Sequence, residues 1–340
     1  MKLLATFLLV TLILHVACSS SPTIEEKTVA GYDAELTNYK YPREVLTYSF
    51  KSQGQDLRMA YMVAAPEKPN GQTVLLLHGK NFSGFYWEPT IQSLLKEGYR
   101  VIAPDQVGFG KSSKPHSFQF SFHALAQNTK ALLDSVGETK VHVVGHSMGG
   151  MLATRFALMY PESTSKLVLV NPIGLEDWKT RVPYKTIDEL YQSELKTTPD
   201  SIRAYQRDVY FAGEWKADYE PLVDVLSGWT KHPDYPKVAW NAALTSDMVF
   251  TQPVVYEFPH VKAPTLLIIG LRDRTAVGKA WAPNDVKESL GNYPVLGRQA
   301  AKAIPGAKLV ELKGVGHMPQ VEAFNAYMSA LTDHLKSSRK

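Results

Sequence analysis

Three side chains in this sequence could together move a proton and break an acyl bond: Ser147, Asp273 and His317. A serine hydroxyl is a weak nucleophile near neutral pH, so it needs a base to take its proton and a carboxylate to orient that base. Ser147 lies in Gly145-His146-Ser147-Met148-Gly149, with an apolar run of strand character before it and a helical run after it. Glycine, serine and glycine at this spacing between a strand and a helix describe a nucleophile elbow, whose turn is too tight for side chains at the two glycine positions. Such a turn holds the hydroxyl at the carboxyl edge of a sheet. It also leaves the N–H of Met148, at the helix start, without an intrahelical partner and aimed where an oxyanion would form. The alternative is a glycine-bounded turn with an ordinary serine; the legible strand and helix and the chain order of the partners favour the catalytic reading.

His317 ends the loop Gly314-Val315-Gly316-His317, which follows the last expected strand, and Asp273 follows an expected strand over residues 264–269. Both would therefore sit on the same sheet edge as Ser147. Asp177, after the expected strand 166–170, is the main rival for the carboxylate, and Asp285 is a weaker one. Among the other histidines, His78 reads as a brace for the loop after the first buried strand, His142 as a core-strand residue and His146 as the variable elbow position. No H-E-x-x-H or similar spacing argues for a metal, and no cofactor is expected.

The elements that must carry these residues alternate. Residues 45–50 and 57–63 read as a hairpin around Gln53-Gly54-Gln55, and 73–77 as a strand buried on both faces. Helix 88–96, strand 100–103, helix 122–135, the elbow strand and helix, and strand 166–170 follow. The class is α/β, a doubly wound and mostly parallel sheet with its ligand site at the carboxyl ends of the strands. Over residues 175–258 the alternation stops, and proline-punctuated helical pieces rich in aromatic residues read as an inserted helical cap. Strand and helix then resume over 259–340, so the core is expected to comprise residues 45–174 and 259–340.

Of the 340 residues, 44% are hydrophobic and 21% charged, an ordinary globular composition. With 37 Lys and Arg against 33 Asp and Glu there is no electrostatic case for nucleic acid. Residues 1–18 differ: Lys2 precedes an apolar run too short to span a bilayer, and a serine cluster follows Cys18, so these residues read as an export signal and residues 19–44 as a tether. Leu14-His15-Val16-Ala17-Cys18 resembles a lipobox, with His15 where leucine is usual, which would make the protein periplasmic or membrane-anchored through a lipidated Cys18; ordinary signal cleavage is the rival. As the sole cysteine, Cys18 excludes an intramolecular disulfide or a thiolate metal cluster.

Taken together, the elbow, His78-Gly79 after a buried strand, Asp105-x-x-Gly108-Phe109-Gly110-x-Ser112 and Gly314-x-Gly316-His317 resemble the α/β-hydrolase superfamily in its cap-bearing branch, over roughly residues 45–336. The resemblance implies a Ser147, Asp273, His317 triad. It also implies an oxyanion hole built from the N–H of Met148 and a second from the His78-Gly79 loop, at Lys80 or Asn81. Haloalkane dehalogenases and epoxide hydrolases of this branch carry aspartate where Ser147 stands, and proline iminopeptidases carry H-G-G-P-G where this chain has His78-Gly79-Lys80-Asn81-Phe82. The expected activity is hydrolysis of a small-molecule ester or related acyl compound. Aminopeptidase, amidase, carbon–carbon bond hydrolase and non-catalytic ligand binding are the alternatives.

Overall fold

The computed structural model describes residues 31–337; the expected signal and lipid-bearing Cys18 lie outside the described residues. A hairpin of β1 (Leu46–Ser52) and β2 (Gln55–Ala64) turns on Gln53 and Gly54, both with positive φ, as a two-residue primed turn requires. Then come β3 (Thr73–Leu77), α1 (Glu88–Lys96), β4 (Arg100–Pro104), α2 (Phe122–Ser135), β5 (Val141–His146), α3 (Met148–Met159) and β6 (Thr164–Val170). Before the next strand the chain forms α4 (Ile187–Glu194), α5 (Pro199–Tyr205), α6 (Pro221–Thr230) and α7 (Tyr235–Thr251). The last section holds β7 (Thr265–Gly270), α8 (Asn284–Lys287), α9 (Tyr293–Ala303), β8 (Lys308–Leu312), α10 (Pro319–Glu322) and α11 (Phe324–Lys336).

The eight strands form one sheet in the order β1-β2-β4-β3-β5-β6-β7-β8. The β2 strand runs antiparallel to both neighbours and every other pair is parallel. The central strands are mostly apolar because both faces are covered, and their alternate residues feed two cores. Leu75, Leu77, Val143, Leu167, Leu169, Leu267 and Ile269 pack on one face with Leu125 of α2 and Phe156 of α3. Val74, Leu76, Val144, Val168, Val170, Leu266 and Ile268 pack on the other with Leu94 of α1 and Leu331 of α11.

Residues 31–41 depart from the expected tether. Leu36 is fully buried and, with Ala34, packs against Val225 and Trp229 of α6 and Val238 of α7. The N–H of Tyr32 donates to the carbonyl of Gly228 (3.0 Å), and Nε1 of Trp229 donates to the carbonyl of Asp33 (3.0 Å). A methyl group at Gly228 would collide with the Tyr32 ring. Polar composition concealed this strap, because its backbone is satisfied locally: Asp33 Oδ1 accepts from the N–H groups of Glu35 (2.9 Å) and Thr37 (3.1 Å). Among the described residues no helix is long and apolar enough to cross a membrane.

Candidate active site

Ser147 stands between β5 and α3 with φ 56° and ψ −123°, a backbone state that side chains other than glycine rarely adopt. The flanking glycines are sterically required. A Cβ at Gly145 would overlap the carbonyl of Gly149, and one at Gly149 would overlap the carbonyl of Leu77. The serine carbonyl takes up the strain by accepting from the N–H groups of Gly150 (2.9 Å) and Ile173 (3.2 Å). The hydroxyl caps no backbone donor of α3, and Ser147 lines the floor of a cavity.

Asp273 and His317 meet on the same strand ends. Both are fully buried, and Nδ1–H of His317 donates to Oδ2 of Asp273 at 2.6 Å. The carboxylate also accepts from Nδ2 of Asn171 (2.7 Å) and from the N–H of Thr275 (2.7 Å). Asn171 follows the last residue of β6 and accepts with its Oδ1 from the N–H of Gly270 (2.8 Å), so one carboxamide fixes both the end of β7 and the carboxylate beyond it. At the opposite corner of the imidazole, Nε2 of His317 is buried and has no hydrogen-bond partner among the described residues.

Four groups hold His317 in place. Its N–H donates to the carbonyl of Tyr210 (2.7 Å), and its carbonyl accepts from Nε2 of His146 (2.9 Å). The Tyr210 ring stacks on the imidazole with centroids 4.7 Å apart. Glu322 accepts from the N–H groups on either side, Gly316 (2.9 Å) and Met318 (3.0 Å). Burial holds the Glu322 carboxyl above the usual carboxylate range. His146 is neutral, since burial first and then neighbouring His317 push it well below the ordinary imidazole range, and its Nδ1 accepts from the hydroxyl of Tyr86 (3.1 Å). The residue next to the serine thus tethers the backbone of the histidine.

The loop after β3 lies against the elbow, where a Cβ at Gly79 would come within 3.1 Å of Ser147 Cβ. His78 braces it: Nδ1–H donates to the carbonyl of Gly79 (2.8 Å), and Nε2 accepts from the N–H of Gln106 (3.0 Å). Lys80, Asn81 and Ser147 line the same cavity. The side chain of Asn81 is engaged elsewhere, donating to the Tyr210 hydroxyl (2.7 Å), so only its backbone N–H remains for an oxyanion. Met148 opens α3, where a first-turn N–H has no intrahelical acceptor. Asp105 braces its turn, accepting from Gly84 N–H (2.6 Å), Lys111 N–H (2.8 Å) and the Tyr41 hydroxyl (2.7 Å). The rival carboxylates lie elsewhere: Asp177 caps the turn Trp178–Thr180 and accepts from the Tyr256 hydroxyl (2.9 Å), and Asp285 is exposed on α8.

Asn171, Tyr210 and Glu322 were not singled out from the sequence. Asn171 did carry a signal, as the first polar residue after the apolar run 167–170; Tyr210 lies in a π-helical turn, Gln206–Tyr210, that continues α5, and no sequence period announces it.

The cavity encloses about 720 Å³ between the strand ends and the helices inserted after β6. A sheet of this order with a strained serine at the central strand end defines a class, and comparison with known proteins agrees. A family model described as alpha/beta hydrolase fold matches residues 72–324, and the chain belongs to that family. It is 29% identical over 273 residues to a 2-hydroxy-6-oxononadienedioate/2-hydroxy-6-oxononatrienedioate hydrolase of Comamonas testosteroni, covering 78% of this chain and 88% of that protein. It is 27% identical over 262 residues to Lipase 1 of Psychrobacter immobilis, covering 75% and 74%. A crystal structure of a "probable hydrolytic enzyme" from Pseudomonas aeruginosa PAO1 superposes with a TM-score of 0.90 at 51% identity, over 91% of this chain and 99% of that one. The protein is an α/β-hydrolase.

Proposed function

We propose that this protein is a serine hydrolase that cleaves an ester or related acyl bond through an acyl-enzyme. The observation that carries this reading is the buried, unpartnered Nε2 of His317, on a ring whose Nδ1–H is held by Asp273 and whose backbone is tied to His146, the neighbour of Ser147. A base whose far nitrogen is fixed by a carboxylate and whose near nitrogen is free is poised to accept a proton. Hydroxyl-to-imidazole contacts of this kind tighten when substrate is bound.

In the proposed cycle Ser147 Oγ bonds to the carbonyl carbon while its proton passes to His317 Nε2. Asp273 stabilises the imidazolium, and the N–H groups of Met148 and of Lys80 or Asn81 receive the oxyanion, each lowering the barrier by about 3 kcal/mol. The bond to the leaving oxygen breaks as His317 returns the proton. Water, deprotonated by the same imidazole, then releases the acid and restores the serine. No cofactor enters this scheme. Carbon–carbon bond cleavage is the second reading, supported by the dienedioate hydrolase of Comamonas testosteroni among the relatives.

A fluorophosphonate probe tests the reading: the native protein should be labelled at Ser147 and lose activity toward nitrophenyl esters. Ser147→Ala should be unlabelled, folded and slower by about 10⁶ in kcat, the order seen when a triad serine is removed. Full hydrolysis by that variant would refute the assignment.

A further inference from the structure

The cavity of the proposed hydrolase carries a second feature that the triad does not use. Six charged side chains line it: Lys80, Glu194, Asp208, Arg274, Lys279 and Lys287. Half of them are neutralised within the protein. Lys80 pairs with Glu194 across the cavity (3.5 Å), and Asp208 pairs with Arg207 (2.7 Å). The other three are all cations, all on the segment between β7 and α9, and none has a carboxylate within 4 Å among the described residues. The carboxylates in the field of Lys279 are, in order of effect, Glu288, Glu176 and Asp273: Glu288 is exposed on the same segment, Glu176 is committed to Arg181 (3.5 Å) and to the N–H of Gly291 (2.8 Å), and Asp273 is committed to His317 (2.6 Å).

Two of these cations, the half-buried Lys279 and the exposed Arg274, are held by identifiable contacts. Gly278, with φ 82°, makes the turn that precedes Lys279, and a Cβ there would come within 2.6 Å of Val182. The ammonium of Lys279 donates to the carbonyl of Leu290 (3.2 Å), and the guanidinium of Arg274 to the carbonyl of Asp273 (2.6 Å). Burial lowers the pKa of Lys279, so its charge is costly when the cavity is empty, and a bound anion would offset that cost. Lys185 adds a further positive charge behind this wall, its ammonium 4.4 Å from the Trp281 ring centroid. Across the cavity, Ile202, Val238 and Ala239 are apolar.

We infer that the substrate is an acyl compound bearing an anionic group, a carboxylate or a phosphate, remote from the scissile bond, with that group held by Lys279, Lys287 and Arg274 and its apolar body against the α5 and α7 wall. This rests on the hydrolase reading for the reaction, but the anion site stands on its own charges. Cations in a partly buried cavity discriminate by charge more strongly than exposed ones, because less water screens them.

The test compares the 4-nitrophenyl monoester of adipic acid with its neutral counterpart, methyl 4-nitrophenyl adipate, and with a matched ester ending in a phosphomonoester. At low salt, kcat/KM for an anionic ester should exceed that for the neutral one by about tenfold or more, the preference should shrink as salt is raised, and the two anionic esters tell carboxylate from phosphate. In the Lys279→Gln, Lys287→Gln double variant the ratio of anionic to neutral kcat/KM should fall about tenfold. A ratio at or below one in the native protein, or one that the double variant leaves unchanged, overturns the inference. Calorimetric binding of monomethyl adipate and of 6-phosphonooxyhexanoate methyl ester to Ser147→Ala separates the two claims. If none of the three esters is cleaved but one of these anions binds and the added lysine substitutions abolish binding, the anion site stands and the hydrolase reading fails. If the neutral ester is cleaved and neither anion binds, the reverse holds.

Discussion

The Asn171 carboxamide joins two strand ends, donating to Asp273 and accepting from Gly270. Its replacement leaves a buried carboxylate short of one charge-assisted donor, worth about 1–3 kcal/mol. Asn171→Ala should therefore lower kcat by about tenfold to a hundredfold with little change in KM, checked by steady-state kinetics on a nitrophenyl ester. Tyr210 separates into two functions at the same scale. Tyr210→Phe removes the hydroxyl that accepts from Asn81 but keeps the ring stacked on His317, whereas Tyr210→Ala removes both. The expected order of kcat is native, then Phe, then Ala, and a phenylalanine variant as slow as alanine would place the effect in the hydroxyl. The candidate residues Ser147, Asp273 and His317 were readable because glycines and strand ends punctuate the sequence around them. Tyr210 was not, because its role depends on where a cap helix lands, which local pattern does not encode.

At the scale of elements, the elbow is a junction with no room for added side chains. The glycine at 149 lets α3 start directly against the β3 loop, so Gly149→Ala must move backbone rather than a flexible side-chain tip. It should cost about 3 kcal/mol or more, seen as a lowered midpoint in urea unfolding. The docking of α11 depends on a different cluster. Lys166 donates to the carbonyls of His334 and Leu335 (both 2.6 Å), and burial drives the nearby imidazoles of His142 and His334 down to about 4. Both are neutral when folded and titrate near 6.5 when unfolded, so the unfolded chain binds more protons between those values. Their contribution is fully present above about pH 6.5 and falls as the pH drops toward 4, by up to about 3 kcal/mol for each. Urea midpoints across that range should fall toward acid, and less steeply in His334→Gln. Strand and helix alternation made most of this layer legible, since buried parallel strands are short continuous apolar runs. His142 was readable as a core-strand residue, whereas Lys166, at the start of its apolar run, had nothing local to mark it as buried beside that histidine.

For the molecule as a whole, the part least legible in the sequence is the strap. A polar, proline-flanked stretch reads as linker, and only long-range partners on α6, α7 and the Asp105 turn make residues 31–41 part of the folded body. We propose that the preceding residues carry an export signal with lipid attachment at Cys18. Metabolic labelling with a palmitate analogue should mark the native protein and not Cys18→Ser, which should move from the membrane fraction to the soluble one. The strap is tested separately: Leu36→Asp buries a charge with no partner and should loosen α6 and α7, raising proteolysis within residues 187–251 before the sheet unfolds.

The strap also ties the inserted helices to the rest of the folded body. It is fastened to the inserted helices at Gly228 and Trp229, and to the body of the enzyme where Lys111 donates to the Leu36 carbonyl and Tyr41 to Asp105. Helices stitched down on that side are expected to behave as a fixed roof over the cavity. Turnover in such an enclosure should be insensitive to solvent viscosity when chemistry is slow, and a covalent staple between residues 32 and 228 should leave it running.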